Sequence, residues 1–480
     1  MAEAQNNTPL LNRKEWQTMM PALTTTAAAS CMIADQYGIN NIGLYMATNA
    51  IHYLYHHDED DYVQITSGAF AVALAAGACG AYHPWSVPYT ATGGTTTTVT
   101  VSAASFNLNG FIRNKTIEFL TGTAANIGLR RTILSMINNS GTGTITLTLD
   151  SAVSAVVANN DTFKINSGSF FFLNAGTLAA TNYFKRFDLG TLVWSNLAVT
   201  GLPATWGTAG SMVIPYIKEL QYDTGTATAG SATTLTDGTK SWGTNQWVNY
   251  QVRITSGTGR GQVSVITANT GTQLTFAAGA TIDATSVYDI EGDENAIYLL
   301  GNNAVTLYKY SISGNTTSTV VVSAARAGAP VAGMASCFVG VTGDTGWASL
   351  ADIKNGRYIF SIRGGTAIID RYDIATLAWL PTTGVLYNNN ITTFATGDSI
   401  FWNEKYLYIA KEGTAAIPQR FYKFSVTGNY LEPVTTDWYL NGAAVIGQKM
   451  WIKKLSSAGL VKWLYVLGST STNLRRIMIF

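Results

Sequence analysis

The residue types that could carry acid–base or metal chemistry are scarce in this chain. Its four histidines are His52, His56, His57 and His83. His56 and His57 precede an acidic run that ends at Asp61, and this turn is the one cluster with metal-ligand residue types. Its carboxylates suit Ca²⁺, but the turn has no glycine for a sharp bend and no distal bidentate glutamate. We predict a solvated turn here, with a subunit contact and a metal site as alternatives, and we predict no cofactor.

Motifs for nucleophilic or nucleotide chemistry give little support to an enzyme. The glycine-rich segment 257–261 has the composition of a phosphate-binding loop, but no Lys-Ser/Thr pair and no helix follows it. The sequence also has no G-x-S-x-G nucleophile elbow. A Ser-His-Asp set on unrelated spacing stays open. We predict that segment 257–261 is a hairpin turn and that the chain is not an enzyme.

Three aromatic residues are the remaining candidates for binding. Trp242, Trp247 and Tyr250 lie within one short stretch of the chain. Such rings stack on sugars and anchor protein interfaces, and they also fill the cores of small domains. The sequence leaves glycan stacking, a subunit interface and a domain core open for these residues.

Composition favours strands and contacts with other proteins. Charged residues make up 12% of the 480 residues and the formal net charge is +1. The chain has no basic tract, which argues against nucleic-acid specificity. Thr, Val, Ile, Tyr and Trp recur in short runs, as is typical of half-buried strands. We therefore predict an all-β protein whose weakly charged surface favours association.

Cysteine content and hydropathy predict folding in a cytoplasm. Cys31, Cys79 and Cys337 are isolated from one another, so we expect buried thiols. The first residues have no apolar core of a signal peptide. The weakly polar stretch at 69–81 is too short to span a bilayer, so we expect no transmembrane segment.

A sequence repeat, which predicts two short strands joined by a turn, indicates the fold. Each copy has an apolar, aromatic-rich strand, a Gly or polar turn, and a second strand that ends in an aromatic residue. The first strands of these copies lie at 50–55, 169–173, 296–300, 357–362, 405–409 and 463–467. The last four copies begin about 50 to 60 residues apart, which is the spacing of four-stranded propeller blades.

One copy resembles a kelch repeat in full. Gly364-Gly365, Tyr372-Asp373 and Trp379 follow the kelch order of a double glycine, a tyrosine and a tryptophan. Phe187-Asp188 and Trp194 repeat the aromatic part of that pattern. The other copies replace the double glycine and lack the tryptophan. The resemblance implies an irregular kelch-like β-propeller of about six blades, and it implies no kelch-family function.

Two related segments interrupt the earlier copies. An aromatic-x2-Asn-x-aromatic motif occurs at 106–111 and again at 242–247. Each motif is followed by a strand and a Thr/Ser-Gly-Thr turn. We predict that 94–166 and 224–291 are two inserted copies of one β-module of about 70 residues. The remaining predicted parts are an N-terminal arm at 1–36 that links subunits, and propeller segments at 37–93, 167–223 and 292–480.

The second inserted segment resembles a small β-module common in virion proteins of tailed bacteriophages. The resemblance rests on 234–242, 245–254 and 256–262, together with the low charge and the irregular propeller. It implies a structural component of a virion, most directly a tail (nozzle or ring-like) or neck protein. Its partners would be copies of itself and other virion proteins, and its location the virion, after folding in the host cytoplasm.

Three other functions stay open at the level of sequence, and a propeller glycosidase or lyase is the least favoured of them. The first is a carbohydrate-binding adhesin or fibre subunit that contacts a host-surface glycan. The second is a capsid decoration protein. An adhesin would need a shallow aromatic pocket with convergent polar groups.

Overall fold

The structure, a computed structural model, is all-β, and its paired strands are antiparallel. It describes residues 17–18, 31–34, 42–46, 51–56, 61–65, 73–75, 77–106, 112–178, 183–208, 210–217, 221–301, 304–329, 331–339, 357–380, 393–394, 398–403, 406–411, 420–425, 430–433, 450–454, 462–467 and 474–479. Within these ranges, no helix has the length and hydrophobicity needed to cross a membrane.

The described parts of the chain form six four-stranded antiparallel sheets, which we number as blades in chain order. Blade 1 contains Cys31–Ala34, Ile42–Met46, His52–His56 and Asp61–Ile65, and blade 2 contains Cys79–His83, Ser169–Leu173, Phe184–Asp188 and Val193–Asn196. Blade 3 contains Gly210–Val213, Ala296–Gly301, Leu307–Ser311 and Thr316–Thr319, and blade 4 contains Val331–Val339, Tyr358–Gly364, Ile368–Asp373 and Ala378–Leu380. Blade 5 contains Ser399–Asn403, Tyr406–Lys411, Arg420–Ser425 and Tyr430–Pro433, and blade 6 contains Met450–Lys454, Lys462–Leu467, Leu474–Ile479 and Gln17–Thr18. The first strands of successive blades lie side by side, so the fold is a β-propeller and the all-β, kelch-like prediction is confirmed.

The ring is closed by the N-terminal part of the chain. Gln17–Thr18 pairs with Leu474–Ile479 as the outermost strand of blade 6. Cys31–Ala34 is the first strand of blade 1, and Ile33 is buried in the core. We predicted an N-terminal arm at 1–36 that links subunits; the two described strands in that range satisfy backbone groups of the propeller itself.

The first blade also differs from the predicted register. The copy predicted at 50–65 comprises the third and fourth strands of blade 1, whereas the other copies are second and third strands. The second strand is Ile42–Met46, and all its residues are buried. Residues 57–60 of the predicted acidic turn lie outside the described residues, and Asp61 begins the last strand opposite His56.

The kelch-type residues pack as a cross-strand unit at the outer edge of two blades. Phe187 lies opposite Trp194 with ring centroids 5.1 Å apart, and Tyr372 lies opposite Trp379 at 5.3 Å. In both blades an aspartate follows the aromatic residue of the third strand. In blade 2 this residue is Asp188, which accepts hydrogen bonds from backbone N–H groups of the turn that joins the third and fourth strands. Such a cap holds a tight hairpin in place.

The turns of three blades share one backbone feature. Leu192, Asn315 and Leu377 have positive φ values of 58°, 48° and 54° at the same position of the turn between third and fourth strands. Leucine rarely adopts this region, so the surrounding contacts must hold it there. This shared strain supports a common blade structure despite the divergent sequences.

Two β-barrels interrupt the propeller, and we name them barrel 1 and barrel 2. Barrel 1 contains Tyr89–Gly94, Thr98–Ser102, Thr116–Thr121, Arg130–Asn139, Thr144–Leu149 and Thr162–Ile165. Barrel 2 is a seven-stranded sheet whose two edge strands, Asp223–Thr226 and Ala229–Gly230, follow each other in the chain. Its other strands are Thr234–Thr236, Gln251–Ser256, Val263–Asn269, Gln273–Phe276 and Val287–Glu291. The strand order is the same in both. In barrel 2 the first strand is split into two short strands. Between them, the Ala227 N–H donates to the Ser286 oxygen and the Thr228 N–H donates to the Thr236 oxygen, which continues the pairing on both sides.

Both barrels are inserted at the same connection of neighbouring blades. Barrel 1 lies between the first and second strands of blade 2, and barrel 2 between those of blade 3. Equivalent connections of antiparallel blades leave the ring on one side, which brings the barrels together. Barrel 1 begins at Tyr89 and not at the predicted residue 94. Its first strand, Tyr89–Gly94, bends at Gly93 and pairs with barrel strands on both sides, so the whole strand belongs to the barrel. A separate short pair, Gly176–Thr177 with Thr205–Trp206, packs beside blade 2.

Removing the closing strand tests the ring. Deleting residues 1–18 leaves an unpaired edge on blade 6, and we expect a loss of about 1–3 kcal/mol from the ladder hydrogen bonds. Differential scanning calorimetry measures this as a lower thermal midpoint. The matched control deletes residues 1–16 only and keeps Gln17–Thr18. Equal midpoints for the two deletions would contradict closure by this strand.

Candidate functional site

The three aromatic candidates form the core of barrel 2. Trp242, Trp247 and Tyr250 are 9%, 1% and 2% exposed and belong to one hydrophobic cluster. Trp242 Nε1 donates a hydrogen bond of 2.7 Å to Asp223, and the Trp247 and Tyr250 rings meet edge to face. A ring buried to this extent has no free face for a sugar. In this structure the three residues pack in the core of barrel 2, and glycan stacking or an interface role for them stays a prediction.

The glycine-rich segment is a hairpin turn. Residues 257–261 connect Gln251–Ser256 with Val263–Asn269, and Gly257, Gly259 and Gly261 all have positive φ. Its arginine, Arg260, donates hydrogen bonds to backbone oxygens of barrel 1 at Ile127 and Ala125. The segment thus binds the neighbouring barrel.

His83 is held in a buried, neutral state. Its Nδ1 accepts the Trp85 N–H at 3.1 Å, and its Nε2 donates to the Glu294 carbonyl oxygen at 2.8 Å. Burial, with a smaller contribution from Arg186, lowers the pKa of His83 to about 4. His52 is also buried, and its Nδ1 accepts the Trp194 indole N–H. The side chains of His56 and His57 lie outside the described part.

A cluster of charges, most of them buried, lies where the barrels meet blade 3, and we call it the ionic junction. It consists of Glu118, Arg130, Lys164, Arg253, Glu291 and Glu294. Arg253, on barrel 2, is at its centre: its Nη1 lies 2.7 Å from Glu118 of barrel 1, its Nε 3.1 Å from Glu291 and its Nη2 2.6 Å from Glu294. The Arg253 side chain is 3% exposed.

The other two cations complete the charge balance. Lys164 Nζ lies 2.8 Å from Glu294 and 3.9 Å from Glu118, and Arg130 Nε lies 2.9 Å from Glu118. Three carboxylates therefore face three cations. Lys164 and Arg130 also lie over the Trp85 ring at 4.5 and 5.7 Å, as in cation–π contacts. Balanced pairing of this kind offsets the cost of burying charge.

The junction keeps Glu118, Glu294 and Arg253 ionised. Burial alone would raise the pKa of Glu118, but Arg253, Lys164 and Arg130 outweigh burial and lower it. The pKa of Glu294 is lowered in the same way by Arg253 and Lys164. Burial opposes the charged form of Arg253 too, yet the three carboxylates hold its pKa well above the usual range. Permanently paired groups suit an electrostatic clamp rather than proton transfer.

The barrels also contact each other through backbone. A Cβ atom on Gly128 would lie 2.5 Å from the Gly261 Cα atom, so neither glycine leaves space for a side chain. Gly128 has φ of 74° and Gly261 of 88°. Close approach and left-handed backbone both require glycine here.

The ionic junction was not predicted from the sequence. Its one available signal was a charged residue between two apolar residues at the same place in both modules, Glu118 and Arg253. Within the described residues, no group of three or more His, Cys, Asp or Glu side chains is placed to hold a metal ion.

Comparisons with known proteins give no family. No protein-family model matches the chain, and no curated protein matches it. Solved structures with similar backbones include the phage phi92 endosialidase, at TM-score 0.38 and 11% identity, over 97% of this chain and 69% of that one. A chain of the mitotic checkpoint complex matches at 0.32 and 9%, over 100% and 99%. YCF48 bound to D1 peptide matches at 0.33 and 9%, over 98% and 97%. At these scores the similarity does not identify a function for this chain.

Uncoupling Arg253 from Glu118 tests the clamp. Arg253→Gln leaves three carboxylates against two cations, and we expect a loss of about 3–5 kcal/mol, as for breaking a buried pair. Glu118→Gln with Arg253→Gln restores the balance, so the double variant should lose less than the sum of the single variants. Urea unfolding of the four proteins measures the coupling. Lys240→Gln, which removes a more exposed ion pair to Asp223, is the control and should cost less than about 1 kcal/mol. Strict additivity would contradict a coupled junction.

The buried state of His83 makes stability depend on pH. The unfolded chain binds a proton near the ordinary pKa of 6.5 and the folded chain only near 4, so stability is lost as pH falls between these values. The loss from this group is about 3 kcal/mol at most. Urea unfolding at several pH values measures it. His83→Gln should show a shallower loss over this window, and an unchanged slope would show that His83 does not titrate as described.

Proposed function

We propose that this chain is a structural protein of a bacteriophage virion, in the tail or neck, that acts through contacts with copies of itself and with other virion proteins. It would reach the virion after folding in the host cytoplasm. The observation that carries the proposal is a pair of barrels locked together on one side of a propeller, the second of which has the sequence resemblance to a small module of phage virion proteins.

The ionic junction supports a mechanical role for that pair. Arg253 joins barrel 2 to barrel 1 through Glu118 and to the entry of blade 3 through Glu294. Tyr89 Oη donates a 2.5 Å hydrogen bond to Asp188, which ties barrel 1 to blade 2. Asn249 Nδ2 donates to the Ile374 carbonyl oxygen, which ties barrel 2 to blade 4. Barrels fixed at several points form a stiff platform, as an assembly under mechanical force requires.

The outer face of barrel 1 is suited to protein contact. In the strand Thr144–Leu149, partly exposed threonines alternate with buried apolar residues, so the outward row is uncharged. The neighbouring strand exposes Leu134 and Ile137 at 46% and 56%. Uncharged faces with exposed apolar side chains favour partners over water. Val265 extends the same kind of face on barrel 2.

A carbohydrate-binding adhesin is the alternative function, and a capsid decoration protein a further one. The burial of Trp242, Trp247 and Tyr250 removes the feature that favoured sugar stacking. An adhesin would have to use other residues. Binding of the isolated, intact chain to host glycans would favour this alternative over assembly.

Incorporation into particles tests the proposal. Gradient-purified particles from a host that expresses the gene should contain the chain in a fixed copy number, measured by quantitative mass spectrometry. Ile137→Glu, on the exposed barrel face, should lower that copy number without lowering the thermal midpoint of the free protein. Val321→Glu is the matched control, because Val321 is 85% exposed but lies on the propeller.

The outcomes separate the two parts of the proposal. Absence of the wild-type chain from particles would contradict the virion role. Normal incorporation of Ile137→Glu would leave the virion role and contradict contact through this barrel face.

A further inference from the structure

The two barrels can be aligned residue by residue from their hydrogen bonding. Glu118 pairs across its strand with Lys164, and Arg253 pairs with Asp289, within identical registers that contain the same bulge. Gly128 donates its N–H to the Phe119 oxygen, and Gly261 donates to the Ile254 oxygen. These patterns make Glu118 equivalent to Arg253, Gly128 to Gly261 and, one residue earlier, Ile127 to Arg260.

Equivalent residues of the two barrels contact one another. Glu118 pairs with Arg253 at 2.7 Å, Arg260 Nε donates to the Ile127 oxygen at 3.0 Å, and Gly128 packs against Gly261. A residue can contact its own equivalent only near the axis that relates the two copies. All three pairs therefore mark the axis between the barrels.

We propose that the barrel face around Glu118, Ile127 and Gly128 is self-complementary in shape, so that it fits a second copy of the same barrel. The opposite charges of Glu118 and Arg253 then make each barrel pair with the unlike barrel of its own chain. In self-complementary interfaces the same patch is used on both sides. The two glycines fulfil this condition, because each leaves space only for the other.

The charges then decide which copies pair. Two copies of barrel 1 would place Glu118 against Glu118, and two copies of barrel 2 would place Arg253 against Arg253. Like charges at a buried contact are strongly unfavourable. The cross-strand partners are also inverted, with Lys164 beside Glu118 and Asp289 beside Arg253. The backbone of this face would therefore fit any copy of the barrel, whereas the charges of its central side chains select the unlike barrel as partner.

This selectivity has a consequence for contacts between chains. Copies of the chain cannot join through barrel 1 with barrel 1, or through barrel 2 with barrel 2, at this face. The face stays inside the chain, and contacts with other molecules fall on the remaining barrel surface. This pairing rule does not depend on the proposed virion role.

A full-length chimera tests both parts of the proposal. In the chimera, residues 225–290 are replaced by a second copy of residues 89–165, which are equivalent in strand register, so that barrel 1 occupies both sites. A second chimera carries Glu118→Arg in the added copy only. Hydrogen–deuterium exchange of the amides at 124–129, followed as one signal for the two identical copies, reports whether the junction is closed, and the blade strands report folding in the same experiment.

We expect the first chimera to exchange at 124–129 about tenfold faster than the wild-type chain, as in a locally open region, and the second to regain protection. Protection in both chimeras would show that charge does not select the partner. Exchange in both, with protected blades and barrels, would show that the face is not self-complementary. Either result overturns the proposal.

Point variants of the natural chain keep the test decisive if a chimera fails to fold. Arg253→Glu places like charges at the axis, whereas Arg253→Met removes the charge and keeps a long side chain. The proposal requires faster exchange at 124–129 in Arg253→Glu than in Arg253→Met. Equal exchange in the two variants would overturn the role of charge in partner choice.

Discussion

The arrangement of this molecule depends on one buried guanidinium. Arg253 is withdrawn from water and satisfied by three carboxylates, which come from barrel 1, from its own barrel and from the chain entering blade 3. A guanidinium presents its donors in a rigid planar fork, so the three acceptors must be placed together for any of them to be well paired. Loss of one partner leaves charge buried without compensation. The contact between barrels and propeller is therefore cooperative.

The propeller makes that contact possible by where it accepts insertions. Both barrels are inserted between the first and second strands of adjacent blades, so they lie side by side. The kelch-type turns then have a second role, because Asp188 caps its turn and also binds Tyr89 of barrel 1. The turn after Asp373 offers the Ile374 oxygen to Asn249 of barrel 2. Residues that look like blade signatures in the sequence thus also hold the barrels.

The barrels combine a paired set of charges at their junction with an uncharged stretch of outer surface. Glu118 and Arg253 form an ion pair between the barrels, whereas the outward row of Thr144–Leu149 carries only threonine. Such a division suits a protein that must keep its shape while its surface meets other proteins. It also accounts for a low overall charge without a loss of internal order.

The sequence alone determined the β class, the hairpin repeat and the duplication of the inserted module, because alternation, turn residues and repeated motifs are local properties of the chain. Tertiary structure decided the rest. Gln17–Thr18 carries no strand pattern of its own and becomes a strand only because Leu474–Ile479 offers it an open edge. Trp242, Trp247 and Tyr250 had the composition of a binding surface, and only the closure of barrel 2 buried them. Glu118 and Arg253 lie far apart in the sequence, and only the fold brings them into contact. Periodicity predicts which face of a strand a residue lies on, but it does not predict which distant residue it contacts.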